Sequence, residues 1–138
     1  MTSPEANRQL IEEHYAAVWS GDETAVRRQV AADFVDHAMP DGTPPGPEAV
    51  LELSRTLRSG FPDMQVTVLQ AVAEGDRVAV HARWSGTHQG RFRGLDPTGR
   101  RVGMEGMVFW RVADGCIAER WAVLDTESLQ RRLGGDRA

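Results

Sequence analysis

Trp121, Val123 and Asp125 share one face of an alternating run, if the alternation is strict, and end it on a carboxylate. A carboxylate among apolar side chains suits proton transfer, because poor solvation disfavours its charged form and moves its pKa toward neutrality. Asp125 also immediately precedes Thr126 at the expected start of a helix, where aspartate is a favoured N-cap, so the residues alone leave both readings open. His37 closes the stretch Asp33-Phe34-Val35-Asp36-His37 and could orient such a carboxylate, donate to a substrate carbonyl, or hold a purely structural hydrogen bond. His88 lies in Gly86-Thr87-His88-Gln89-Gly90, where pinning a turn competes with a catalytic role. His81, between Val80 and Ala82, faces either a cavity or solvent, and His14 is expected on the surface of a helix.

Other chemistries lack their residues. No His-x-His or His-Glu-x-x-His spacing offers a metal site, so no metal is expected. Ser85-Gly86 lacks the Gly-x-Ser-x-Gly elbow of a serine nucleophile, and no glycine-rich phosphate loop points to a nucleotide cofactor. All 16 basic residues are arginine, which removes Schiff-base chemistry and a lysine-held pyridoxal group. No cofactor is expected. Cys116 is the only cysteine, which excludes an intrachain disulfide and multi-thiolate metal sites, and it reads as a small buried hydrophobe.

The elements that must position these residues follow from periodicity. Pro4 suits the first turn of a helix in which Ile11, Tyr15 and Val18 recur at helical spacing until Ser20-Gly21. Asp22 caps a shorter second helix with Val26 and Val30 inward. Met39 to Pro45 is a loop, and Pro47 opens a third helix, with Gly60 expected in the left-handed capping position. From Met64 the period changes to two, Glu74-Gly75-Asp76 turns a hairpin, and Arg77 to Trp84 returns. Gly86 to Gly99 is a longer crossing, Arg101 to Val112 and Cys116 to Leu124 are strands joined at Ala113-Asp114-Gly115, and Thr126 to Leu133 is a helix stopped by Gly134-Gly135. Three helices thus precede any long strand, and a chain of 138 residues reads as one α+β domain over residues 1–138.

Composition adds bounds. Hydrophobic residues at 41% and charged residues at 26% are ordinary for a globular chain. The formal charge of -4 and scattered arginines give no footprint for nucleic acid, and no apolar run is long enough for a bilayer. A cytoplasmic location without membrane association is expected.

The motifs Glu74-Gly75-Asp76-Arg77-Val78-Ala79-Val80, Gly86-Thr87-His88-Gln89-Gly90-Arg91-Phe92 and Pro97-Thr98-Gly99-Arg100 resemble the SnoaL-like polyketide cyclases of the nuclear-transport-factor-2-like superfamily. Asp114-Gly115 followed by Ile117, Glu119, Trp121 and Asp125 adds to the resemblance, as do Asp33 to His37 and Phe61-Pro62-Asp63-Met64. The resemblance implies a cone-shaped α+β barrel, with N-terminal helices packed on a strongly curved, mainly antiparallel sheet that encloses a pocket. It implies a cofactor-free intramolecular aldol closure, or a related isomerisation, with an aspartate as acid/base. Asp125 is the matching position, assisted by His37 and His88. The alternatives are a hydrolase or hydroxylase using the same pocket and a non-catalytic binding module.

Tyr15, Trp19, Phe34, Phe61, His81, Phe109 and Trp121 are the expected contacts to a small hydrophobic, polycyclic or polyketide-like ligand, although aromatics at such spacing also build cores. Trp84 and Trp110 join the candidate aromatic wall. Phe109 and Trp110 must point to opposite faces, so one of them leaves the cavity, and an apolar outer face predicts a homodimer or higher homo-oligomer.

Overall fold

The computed structural model describes residues 2–134. Helix α1 (Pro4–Ser20) starts where Ser3 Oγ accepts the Ala6 N–H at 3.1 Å and stops at Gly21, whose φ of 77° no branched residue adopts cheaply. Helix α2 (Glu23–Gln29) begins on Asp22, whose carboxylate accepts the Ala25 N–H at 3.1 Å. Strand β1 (Val30–Asp36) follows directly, so a strand precedes the third helix, contrary to the sequence reading. Its Ala31-Ala32-Asp33 segment carries no alternation, and its register slips between Val30 and Val35, which is why the period-two signal is weak.

Helix α3 (Pro47–Gly60) begins at the expected proline, but Gly60 is not left-handed: the helix is capped by Phe61 at φ -133°. Gly60 instead permits a close approach, since its carbonyl accepts the N–H groups of Gln89 and Gly90, both at 3.0 Å, and an added Cβ would meet Phe92 Cβ at 3.0 Å. Strands β2 (Gln65–Glu74), β3 (Arg77–Thr87), β4 (Arg101–Ala113) and β5 (Cys116–Leu124) precede helix α4 (Thr126–Gly134). The expected stop at Gly134-Gly135 falls partly outside the described residues, at Gly135.

The sheet runs β1-β5-β4-β3-β2. All neighbours are antiparallel except β1, which lies parallel to β5 with Asp36 opposite Arg120. The sheet is mixed and does not close, with β1 and β2 as its edges. Alternation sorts its two faces. Val78, Val80, Ala82 and Trp84 of β3 and Val108 and Trp110 of β4 point inward onto Ile11, Tyr15 and Val18 of α1 and onto Leu51 of α3. A bulge between Val68 and Gln70 shifts the phase of β2, so that Val66, Val68, Ala71 and Ala73 pack inward while Leu69 and Val72 face out. A second cluster, Phe61, Phe92, Val102, Leu129 and Leu133, ties α4 and the 88–100 crossing to one end of the sheet. Cys116 is half-buried with its Sγ 3.8 Å from the Arg28 carbonyl, rather than a core residue, because it sits at the start of β5 beside the turn. Among the described residues no helix is long and apolar enough to cross a membrane.

Candidate active site

Between the inner face of the sheet and the helices lies a chamber with two adjoining lobes, both lined by Trp19, Leu53, Trp84 and Arg120. The larger, about 210 Å³, is walled by Leu57, Phe61, Met64, Phe92, Met104 and Leu124 and reaches Ala38 and Met39. The smaller, about 50 Å³, is bounded by His14, Tyr15, Val18, Asp36, Val50, Ser54 and Trp110. The larger lobe is thus mainly apolar, with Ser85, Arg93 and Thr126 also lining it, and the smaller carries the buried polar groups.

The buried charge in the chamber is one ion pair; the exposed Arg93 also lines the larger lobe. The parallel register of β1 on β5 sets Asp36 beside Arg120, and Arg120 Nη1 donates to Asp36 Oδ2 at 3.0 Å and Oδ1 at 3.2 Å. The Asp36 side chain is 5% exposed and that of Arg120 12%. Asp36 Oδ1 also accepts the Ala38 N–H at 2.9 Å, and the guanidinium lies 5.5 Å from the Trp110 ring centroid. Two charges so far from water persist because each neutralises the other and the carboxylate is hydrogen-bonded; removing either strands its partner.

His14 and Tyr15 border the small lobe from α1. Contrary to the expected surface position, His14 is 2% exposed, because the helix turns this residue toward Trp110, whose ring it meets edge-on at 5.5 Å. Its Nδ1 donates to Gln29 Oε1 at 3.0 Å. Burial, set against that hydrogen bond and aided by the Arg120 charge, lowers its pKa to about 4, so the ring is neutral near pH 7. Tyr15 is pushed up to about 12, chiefly by burial and against the pull of Arg120 and the nearby Trp110 N–H, so it stays a neutral O–H donor. Tyr15 Oη, Trp19 Nε1 and Trp110 Nε1 are buried without a hydrogen-bond partner in the protein.

An apolar chamber ending in a buried carboxylate, a guanidinium and unused donors has the layout of a small-molecule site. The model of the SnoaL-like polyketide cyclase family matches residues 9–133. The chain belongs to that family. Among solved structures, this SnoaL-like chain resembles IdmH, a candidate polyketide cyclase from Streptomyces antibioticus, at 35% identity, covering 93% of this chain and 98% of IdmH with a TM-score of 0.81. It resembles AclR, a candidate hydroxylase from Streptomyces galilaeus, at 30% identity over 96% and 98% of the two chains, TM-score 0.83. TsrD from Streptomyces laurentii is 25% identical over 97% and 98%, with a TM-score of 0.88. No curated protein matches the chain significantly.

The residues expected to form the site divide between the two faces of this SnoaL-like sheet. Tyr15, Trp19 and Phe61 line the chamber, as do Trp84 and Trp110. Phe34, 1% exposed, is core and lines neither lobe. Asp125 shares the face of Trp121 and Val123 as alternation requires, but that is the outer face: Arg120, Ala122 and Leu124 point the other way, toward the core. Its carboxylate is exposed, and Oδ1 accepts the Ser128 N–H at 3.1 Å, capping α4. Asp125 does line an open outer cleft with His81, Glu105 and Glu127.

His37 does not meet Asp125. It stacks on Trp121 at 4.9 Å, and its Nε2 bonds Glu119 Oε2 at 2.8 Å; hydrogen bonds from His37 and Arg111 hold the Glu119 carboxyl below its usual range. Asp125 lies four positions beyond Trp121, just past the end of β5, about 13 Å along an extended chain. His88 is fully buried and pins the crossing: Nδ1 accepts the Thr98 N–H at 3.3 Å, its backbone N–H donates to Arg100 and its carbonyl accepts from Gly99. It lines neither lobe. His81 bonds Glu105 and Gln70 on the outer face, beside Phe109 and Trp121. Arg83 and Arg111 pair with Glu105 and Glu119. Asp36, Arg120 and His14 are buried or nearly buried polar groups of the chamber that the sequence reading did not select, and Ser54, Ser85, Arg93 and Thr126 also line it.

Proposed function

We propose that the chain is a cofactor-free cyclase-like enzyme that enolises a carbonyl-activated, polyketide-like substrate inside the chamber, with Asp36 as acid/base. The observation that carries this reading is the buried Asp36–Arg120 pair at the polar end of an apolar chamber. Asp36 Oδ2 takes a proton from a carbon flanked by carbonyls. The guanidinium of Arg120, with Tyr15 and the indole N–H groups, stabilises the enolate oxygen. The enolate carbon then bonds to a second carbonyl carbon of the same substrate, and the alkoxide so formed recovers the proton from Asp36. Atoms balance without a co-reactant, as an isomerisation requires.

Asp125 is the competing base, and it serves only a substrate seated in the outer cleft. Deuterium wash-in at the α-carbon of 1-tetralone in D₂O separates the two. Asp36→Asn should slow enzyme-dependent exchange by about 10²-fold or more, the usual worth of a positioned acid/base, whereas Asp125→Asn should not, since asparagine caps a helix as well as aspartate. Loss with Asp125→Asn and retention with Asp36→Asn would overturn the proposal. Exchange without ring closure on a panel of cyclisable polyketides would favour a hydroxylase or hydrolase, a reading supported by the likeness to AclR. Ligand binding without exchange would favour a non-catalytic module.

We also infer a homodimer through the outer sheet face. Val123 is 79% exposed, Val72 69% and Met107 58%, and they border a groove with Phe109 and Trp121. Monomers seldom leave so contiguous an apolar face in water, and a two-fold partner would cover it with the same residues.

A further inference from the structure

Tyr15, Trp19 and Trp110 all line the 50 Å³ lobe, and each carries a buried donor that no protein group accepts. Buried donors are nearly always paired, so three of them around one small space mark a place where an acceptor belongs. Of the side-chain acceptors at the lobe, Asp36 is taken by Arg120 and Ala38, and Ser54 Oγ, itself taking a bond from Arg58, donates to the Val18 carbonyl at 2.8 Å; Tyr15 Oη and His14 Nε2 take no bond from these donors.

The charge of the lobe restricts what that acceptor is. Asp36 and Arg120 cancel, and the only histidine there is neutral near pH 7. A carboxylate entering the small lobe would lose its hydration and meet Asp36 with no unpaired cation there to compensate, since Arg93 lines only the larger lobe, whereas a carbonyl oxygen loses far less and gains neutral donors. Size restricts the rest of the ligand. The large lobe, at about 210 Å³, falls below the roughly 300–1,000 Å³ usual for drug-sized ligands, and Phe61, Phe92 and Met104 wall it with packed side chains.

We infer that the small lobe is a carbonyl-binding subsite formed by Tyr15, Trp19 and Trp110, and that the ligand is a compact, uncharged one- or two-ring carbonyl compound held oxygen-first with its apolar body in the larger lobe. This rests on the chamber being the reaction site, and it adds the orientation, charge and size of what enters. Enolisation at the carbon beside the buried carbonyl then falls next to Asp36.

The test uses the indole N–H signals of the four tryptophans, Trp19, Trp84, Trp110 and Trp121, in ¹⁵N-labelled full-length protein titrated with four probes. 1-Tetralone should bind at least tenfold more tightly than tetralin, which has the same rings and no oxygen, and should move the Trp19 and Trp110 signals while leaving Trp121 in place. Tyr15→Phe should weaken 1-tetralone several-fold and leave tetralin unchanged. 1-Naphthoate and the four-ring ketone benzanthrone should both bind at least tenfold more weakly than 1-tetralone. Equal binding of tetralin and 1-tetralone, with chamber signals moving, would overturn the subsite and leave the chamber as a ligand site. Tighter binding of 1-naphthoate would overturn the uncharged head, and tighter binding of benzanthrone the size limit. Movement of Trp121 alone would place the ligand on the outer face, and the proposed reaction site would fall with the subsite.

Discussion

Lowering the pH from 7 to 5 should cost the protein about 2 kcal/mol of folding stability through His14 alone. The imidazole titrates near 6.5 in the unfolded chain and at about 4 in the fold, chiefly because burial beneath Trp110 removes its water. Between those two values the unfolded state holds a proton that the folded state does not, so acid favours unfolding. The contribution is fully present above about pH 6.5, falls by at most about 1.4 kcal/mol per pH unit, and levels off below pH 4. About one and a half units of that window lie above pH 5, which gives the 2 kcal/mol. Urea unfolding followed by circular dichroism at pH 7 and pH 5, on wild type and His14→Gln, isolates the term, because glutamine does not titrate and every other group cancels between the two proteins. The wild type should lose about 2 kcal/mol more than the variant. Parallel losses in the two proteins would refute the account of His14 as a neutral, desolvated wall of the small lobe.

Asp36→Leu should destabilise by about 3–5 kcal/mol in urea unfolding because Arg120 is left buried without its partner, and Asp36→Leu/Arg120→Met should recover most of that loss. Asp125→Ala should cost about 1 kcal/mol through the lost cap on α4 while Asp125→Asn stays within a few tenths of wild type, measured in the same assay. Phe109→Glu combined with Val123→Glu should convert a dimer to a monomer in size-exclusion chromatography with light scattering, with an unchanged circular dichroism spectrum.

The helices and hairpins were legible because their signals are local. Pro4 and Gly21 mark the ends of α1, and Asp114-Gly115, with φ values of 53° and 76°, turns β4 into β5. The face of the sheet that meets the helices was not legible. Alternation groups Trp121 with Val123 and Asp125 correctly, yet a period of two carries no label for inside and outside, and a tryptophan invited the wrong choice. A usable signal lay in Phe34 and Asp36: two residues apart on one strand, they share a face, and a fully buried phenylalanine would have carried the carboxylate inward with it. Arg120 could be assigned only with the β1–β5 register in hand. His14 was obscured by its neighbours, since Glu12 and Glu13 precede it and make that stretch of α1 read as solvated.

The parallel pairing of β1 with β5 has a consequence for how the protein comes together. Strands β2, β3 and β4 join through neighbouring segments and need no help from either end of the chain, whereas Asp36 and Arg120 are 84 residues apart and meet only when the first and last strands close on each other. Closing so long a loop is entropically slow and follows the local hairpins, so the polar end of the chamber should be among the last parts to form and, with β1 at an edge, among the first to open. A chain that frays at β1 would keep most of its sheet and lose its chemistry, which makes amide exchange along Val30–Asp36 a direct gauge of how much of a folded sample is competent.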